Sequence, residues 1–202
     1  KTKGRLMIMI KIGRTGSIGM GKSETAKIFK SLGFPVYDAD KSVHKLYRKG
    51  QKGAEAIKKI FPSAISSEGG VDRSALGGLV VGDKANLKKL ESIIHPLVGE
   101  DRLDFFEDNK TAKAVVLDIP LLFETGGEKL VDYTVVVTTS YEIQKKRVLG
   151  RKNMNEKKFK EIVSSQTPND DKCRLANFIV DTSISVDDAK KQVKDILLSL
   201  GL

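Results

Sequence analysis

The sequence predicts an α/β protein built on a parallel sheet, and three observations predict it. Near-continuous apolar runs occur at Leu6 to Ile12, Ala114 to Leu117 and Tyr133 to Thr138, as in strands covered on both faces. Stretches with apolar residues at helical spacing separate them. A glycine-rich turn, Gly16 to Ser23, joins the first run to the first helical stretch.

That turn reads Gly16-Ser17-Ile18-Gly19-Met20-Gly21-Lys22-Ser23 and fits the pattern of Gly, four residues, Gly-Lys-Ser, in the strand–loop–helix setting that makes it a P-loop. Its glycines let the backbone curl with few Cβ clashes. The loop N–H groups then converge on an anion at the positive end of the following helix. Lys22 is placed to reach the β- and γ-phosphates of a nucleoside triphosphate, and the Ser23 hydroxyl to ligate its Mg²⁺.

The first helix is expected from about Lys22 to Leu32, with Ala26, Ile28, Phe29 and Leu32 on its buried side and Gly33 ending it. Phe34 to Tyr37 reads as a second strand. Asp38-Ala39-Asp40 follows, and in an open parallel sheet ligands sit beyond the carboxyl ends of the strands. One of these aspartates is expected to accept a proton from an attacking hydroxyl, and one to cap the next helix, Lys41 to Lys49.

Lys41 to Asn109 then read as helical. Ala54, Ile57, Lys58 and Phe61 recur at helix spacing, and Asp72 reads as an N-cap before Leu76, Leu79 and Val80. Leu87, Leu90, Ile93 and Ile94 form a stripe expected to end at His95-Pro96, because a residue before proline is pushed out of the α region. Leu97, Val98, Leu103, Phe105 and Phe106 carry a further helix. A block this long exceeds a simple crossover, so we read 41–112 as an inserted substrate-binding subdomain, with 7–40 as the first part of the core.

The core resumes over 113–139. The strand Ala114 to Asp118 ends in a carboxylate, as in P-loop sites where such an Asp supports Mg²⁺ directly or through water. Ser140 to Lys152 reads as a helix that would place Arg147 and Arg151, four apart, on one face, and paired guanidinium donors suit phosphoryl oxygens. Asn155 caps a second helix carrying Phe159, Ile162 and Val163, and Gln166 to Asp171 reads as a polar break. We take 140–172 as a lid. Residues 173–202 supply a last strand at Phe178 to Val180 and a helix opened by Asp187 and Asp188, with Ala189, Val193, Ile196, Leu197 and Leu200 as its buried stripe.

Composition narrows the function classes. No apolar run approaches membrane-spanning length and no secretory signal is evident. The opening Lys1 to Arg5 lacks methionine and reads as an expression remnant outside the fold. A lone cysteine, Cys173, excludes an intrachain disulfide framework and suits a reducing compartment. Thirty-six Lys and Arg against 26 Asp and Glu give a net charge of +10, which attracts phosphates. The lysines are dispersed and Trp is absent, which argues against a base-stacking nucleic-acid platform. The two histidines, His44 and His95, have no Cys or His cluster near them in sequence, so nothing suggests zinc.

Taken in order, the P-loop, Asp38-Ala39-Asp40, His95-Pro96, Pro120-Leu121-Leu122-Phe123-Glu124, Arg147 with Arg151, and Gln166 resemble the dephospho-coenzyme A kinase family, over Met7 to Leu200. The resemblance implies a five-stranded parallel P-loop core, a helical coenzyme-binding insertion and a lid. It implies transfer of phosphate from ATP, with Mg²⁺, to the ribose 3′-hydroxyl of dephospho-coenzyme A in the cytoplasm. Carried over by position, Lys22, Asp40 and Arg147 are catalytic, with Asp40 the base. Gly16, Ser17, Ile18, Gly19, Met20, Gly21, Lys22, Ser23, Glu24 and Arg151 would bind ATP. Asp38, Asp40, His95, Pro120, Leu121, Leu122 and Glu124 would bind the acceptor, and Ser23 and Asp118 the metal. The expected assembly is a monomer or weak oligomer.

Three residues depart from the family pattern as we read it. Arg14 stands where an apolar residue is usual, Glu24 replaces Thr, and Asn177 replaces Asp. Rival readings are another small P-loop kinase, for a nucleoside monophosphate, shikimate or gluconate, and a nucleic-acid-binding protein with a vestigial P-loop. A GTPase-type switch expects Asn-Lys-x-Asp, and Asn109-Lys110-Thr111-Ala112 fails the last position.

Overall fold

The computed structural model describes residues 9–202; Lys1 to Ile8, which include the opening of the first expected strand, lie outside the described residues. In chain order the elements are β1 (Ile10–Thr15), α1 (Lys22–Ser31), β2 (Val36–Asp38), α2 (Ala39–Leu46), α3 (Lys52–Ile60), α4 (Arg73–Val80) and α5 (Lys84–Asp108). There follow β3 (Ala114–Asp118), β4 (Tyr133–Thr138), α6 (Tyr141–Leu149), α7 (Glu156–Ser164), α8 (Asn169–Leu175), β5 (Phe178–Asp181) and α9 (Val186–Ser199). The chain packs as two compact units, one taking the described chain up to Tyr37 together with Asn109–Leu202, the other Asp38–Asp108.

The first unit is a five-stranded parallel sheet in the order β2-β3-β1-β4-β5. The central strand β1 pairs with β3 and β4, in a register that sets Ile12 against Val116 and Arg14 against Asp118. Ile12, Val116, Val135 and Val180, one from each of four strands, are fully buried. Phe29 of α1 and Val193 and Leu197 of α9 pack into the same cluster. Each such side chain contributes roughly 1.5–3 kcal/mol on burial. The stripe expected for α9 is the one found, and Ser185 caps this helix by accepting from the Asp188 N–H at 3.0 Å.

The second unit is helical, with Ile57, Phe61, Leu76, Val80 and Ile94 at its centre. Asp72 caps α4 as expected, accepting from the N–H groups of Ser74 and Ala75 at 2.9 and 3.0 Å.

Three sequence readings are corrected. His95-Pro96 does not end a helix: α5 runs 25 residues through it. Proline inside a helix costs about 3 kcal/mol or more. Here Leu90, Ile93 and Ile94 before it and Val98 after it all pack on the unit's core, so burial on both sides carries the helix across. Next, α6 stops at Leu149, with Gly150 as its C-cap, so Arg151 lies beyond the helix instead of one turn above Arg147. Finally, the expected polar break contains the start of α8. Asp170 and Asp171 in its first turn and Lys172 and Arg174 in its last complement the helix dipole, and one buried residue, Lys172, is its inward contact.

Candidate active site

The P-loop is fixed by side chains that sequence periodicity did not single out. Gln144 Nε2 of α6 donates to the Ile18 carbonyl at 2.8 Å, and Thr182 Oγ1, just past β5, donates to the Met20 carbonyl at 2.7 Å. In a trans peptide the N–H points opposite to the C=O. Holding these two carbonyls against α6 and the β5 end therefore turns the N–H groups of Gly19 and Gly21 the other way, as an anion cradle requires. Two of the loop's glycines show why this residue type is needed. A Cβ on Gly16 would lie 2.5 Å from the Val137 carbonyl oxygen, and Gly21 caps α1 with φ 97° in the left-handed region.

Lys22 lies over the loop, its Nζ donating to the carbonyls of Gly16 and Ser17 at 2.5 and 3.1 Å. Burial pushes its ammonium down to about 8; Asp118 opposes the fall, while Arg14, Lys172 and Arg151 add to it. Such an amine has an unmet demand for negative charge, which a triphosphate supplies. Ser23 and Glu24 are exposed in the first turn of α1. The Glu24 carboxylate pairs with Lys27 Nζ at 2.7 Å along the helix surface, so Thr-to-Glu here is accommodated by a solvent-facing pair.

Arg14 is fully buried, and its guanidinium pairs with the Asp118 carboxylate and donates to the Lys22 carbonyl. The expected need for a partner is thus met on the neighbouring strand. Among the described residues no group of three or more His, Cys, Asp and Glu is placed to hold a metal ion. A Mg²⁺ ion carried on phosphates keeps several waters and takes one or two protein oxygens. Ser23 stands in the first turn of α1 and Asp118 at the carboxyl end of β3.

Arg147 is committed to the β5 end. Nη1 donates to Thr182 Oγ1 at 2.8 Å and more loosely to the Gly19 carbonyl at 3.4 Å, and Nη2 donates to the Thr182 carbonyl at 2.7 Å. Arg151 is exposed. In the segment after β3, the Pro120 carbonyl accepts from buried Thr15 Oγ1 at 3.0 Å, Leu121 is exposed, and Leu122 is fully buried, so Leu122 supports the site from below instead of lining it. Glu124 Oε1 pairs with fully buried Lys172 at 2.8 Å and accepts from the Thr167 N–H at 2.9 Å. Burial raises the pKa of this carboxyl, but Lys172, its own N–H and that of Thr167 together hold it below its ordinary value. Asn177 Oδ1 accepts from Thr134 N–H and Oγ1 at 2.8 and 3.0 Å, so the amide makes the strand tie that a carboxylate would.

In the second unit the two aspartates divide their work. Asp38 Oδ1 accepts from the Lys41 N–H at 3.0 Å and caps α2. Asp40, exposed in the first turn, is left with its carboxylate uncommitted to capping. His95 is exposed on α5. This unit also holds a cavity of about 660 Å³, lined by His44, Tyr47, Arg48, Lys49, Glu68 and Arg73, in which an Arg73 Nη1 lies 2.9 Å from His44 Nε2.

The sequence profile of the family described as dephospho-CoA kinase matches residues 10–188, nearly the whole described chain. The chain belongs to the dephospho-CoA kinase family. It is 52% identical over 188 residues to the dephospho-CoA kinase of Bradyrhizobium diazoefficiens, covering 92% of this chain and 93% of that one. A crystal structure from Thermus thermophilus is similar with a TM-score of 0.84 and 33% identity, over 95% of this chain and 98% of that one. The dephospho-CoA kinase from Campylobacter jejuni matches with a TM-score of 0.63 and 27% identity, over 94% and 96%. This family member therefore carries its P-loop, Asp118, Arg147 and Glu124 in one packed unit, and Asp38, Asp40 and His95 in the other.

Gln144, Thr182 and Lys172 were not singled out from sequence. Gln144 had a signal, since it stands three before Arg147 on the same helix face. Thr182 could have been sought just past the carboxyl end of the last strand. Lys172 had none, because a lysine in an acidic, polar stretch reads as solvated.

Proposed function

We propose that this chain transfers the γ-phosphoryl group of ATP to the ribose 3′-hydroxyl of dephospho-coenzyme A, giving coenzyme A and ADP. The observation that carries the reading is the P-loop with its outward carbonyls clamped and Lys22 above it, in a chain whose family match spans both units. The loop N–H groups and Lys22 hold the β- and γ-phosphates. The Ser23 hydroxyl, and Asp118 directly or through water, would hold the Mg²⁺ that comes with ATP, which would supply neutralisation of phosphate charge. Asp40 accepts the 3′-hydroxyl proton as that oxygen bonds to phosphorus, and the bond to the β–γ bridging oxygen breaks to release ADP.

The acceptor is assigned to the second unit. Its cavity gathers Arg48, Lys49, Arg73 and His44 around a single Glu68, a lining suited to a large anionic ligand. The lid is assigned to 140–172, with its movement beginning past Gly150, because α6 before that point is tied to the P-loop. We assign the protein to the cytoplasm, in keeping with ATP as substrate and a single cysteine, and take it to act as a monomer or weak oligomer.

The test is ADP release from Mg-ATP with dephospho-coenzyme A or a panel of nucleoside monophosphates, with product mass read out. One added phosphate on dephospho-coenzyme A alone is expected. Transfer to a monophosphate instead would overturn the acceptor and keep the P-loop chemistry.

A further inference from the structure

Arg14 is an odd residue for the central strand of a sheet. It sits one strand position before Thr15 and the P-loop, with no exposed surface. A buried charge persists only where it is paired and hydrogen-bonded. The parallel register sets Arg14 directly across from Asp118, so both side chains leave the same sheet face at the phosphate end. The guanidinium meets the Asp118 carboxylate and the carbonyl of Lys22 at once. A planar fork can serve two acceptors in this way, whereas an ammonium is a point charge. One side chain thus joins β1, β3 and the first residue of α1.

We propose that Arg14 is a positioning residue of the phosphate site. It binds the Asp118 carboxylate, so that Asp118 meets Mg²⁺ through water, and it fixes the Lys22 backbone under the triphosphate. The inference rests on the reading of this loop as an ATP site. A carboxylate shared with a guanidinium has less charge to offer a metal ion, and the added cation beneath the loop favours phosphates. Arg14 therefore acts with opposite sign on the two ligands, strengthening the hold on ATP and weakening the hold on the metal. A residue that merely braced the fold would affect both alike.

The experiment uses the full chain with two binding readouts: a fluorescent ATP analogue titrated in excess chelator, and Mn²⁺ titrated into the ATP complex by electron paramagnetic resonance. Arg14→Leu is expected to weaken metal-free ATP by about tenfold and to tighten Mn²⁺ severalfold, because it removes the guanidinium that shares the half-buried Asp118 carboxylate. Adding Asp118→Asn should return ATP affinity to within about threefold of the parent. Weakening of both ligands together, or no change in either, would overturn the proposal. Should Arg14→Leu not fold, Arg14→Lys keeps the charge but cannot span both acceptors. It should keep most of the ATP affinity and still tighten Mn²⁺, and a joint loss would again overturn the idea. Failure of the ATP reading is distinguishable, since the unaltered protein would then bind no analogue.

Discussion

Arg147 and Thr182 are joined twice, through the Thr182 hydroxyl at 2.8 Å and its carbonyl at 2.7 Å, and the same hydroxyl passes a hydrogen bond to the Met20 carbonyl of the P-loop. The sequence pointed to Arg147 as a group facing the phosphates. The geometry makes it the outer link of a chain that ends on the loop. Thr182→Val, which keeps the shape and removes the hydroxyl, should raise KM for Mg-ATP by about tenfold with a smaller change in kcat, and Thr182→Ser should restore it. In a double-mutant cycle Arg147→Ala and Thr182→Val should couple by about 1–2 kcal/mol. A large loss of kcat in Arg147→Ala, unchanged in the Thr182→Val background, would instead put Arg147 on the transferring phosphoryl group.

Lys22 yields a mutational and a pH prediction. Lys22→Ala should lower kcat by about 10²–10³-fold or more, the scale seen when one donor to developing charge is removed, while the melting temperature stays close to the parent's. Its pKa of about 8 lies below the ordinary lysine value of 10.5, so between those values the folded protein holds fewer protons than the unfolded chain. Stability should rise with pH across that window, the reverse of a lysine that gains an acidic partner. ATP, by contrast, restores the charge, so binding above pH 8 should take up close to one proton. Calorimetry in buffers of differing ionisation enthalpy reads this directly, and zero uptake at pH 9 would refute it.

What the sequence made legible was governed by local rules. The P-loop, the caps at Asp72 and Asn155 and the buried stripe of α9 depend on spacing within a few residues, and each was readable. The passage of α5 through Pro96 was not, because it depends on packing from both sides of the proline, which no local window contains. Arg14 is the instructive case at the site. Its need for a partner followed from charge alone, but the partner was named by the register of β1 against β3, a pairing across more than a hundred residues. Arg147 was found by type, but its bond to Thr182 was not legible, since Thr182 reaches it only through the fold.

Residue type alone did not tell Asp38 from Asp40, the family resemblance pointed to Asp40 as the base, and their hydrogen bonds differ in the same sense. Asp38 caps α2, so Asp38→Ala should cost about 1 kcal/mol of stability. Asp40 makes no such capping contact, and as the proposed base its change to Asn should lower kcat by about 10²–10⁴-fold while KM for ATP stays within about threefold. Steady-state kinetics beside thermal melts would decide. An Asp40→Asn enzyme that loses stability and keeps its turnover would return the base to Asp38.

Glu124 and Lys172 predict an acid-sensitive fold. The pair is 2.8 Å long, Lys172 is fully buried, and the Thr167 N–H completes the carboxylate's contacts, so the segment after β3 and α8 are held by one charge pair. Removing one partner of a fully buried pair costs about 3–5 kcal/mol, and Glu124 keeps some exposure, so Lys172→Met should cost less than that and still melt below the parent at neutral pH. The pH dependence identifies the cause. Glu124 titrates below its ordinary value of 4.5 in the folded protein, so its contribution is complete above that value and is lost as pH falls through it. In Lys172→Met the half-buried carboxylate loses its cation, its pKa rises, and protonation relieves the variant. The gap in melting temperature between parent and variant should therefore close as pH falls from 7 to below 4. A gap that stayed constant would mean that Lys172 acts through the packing of its methylenes and not through its charge.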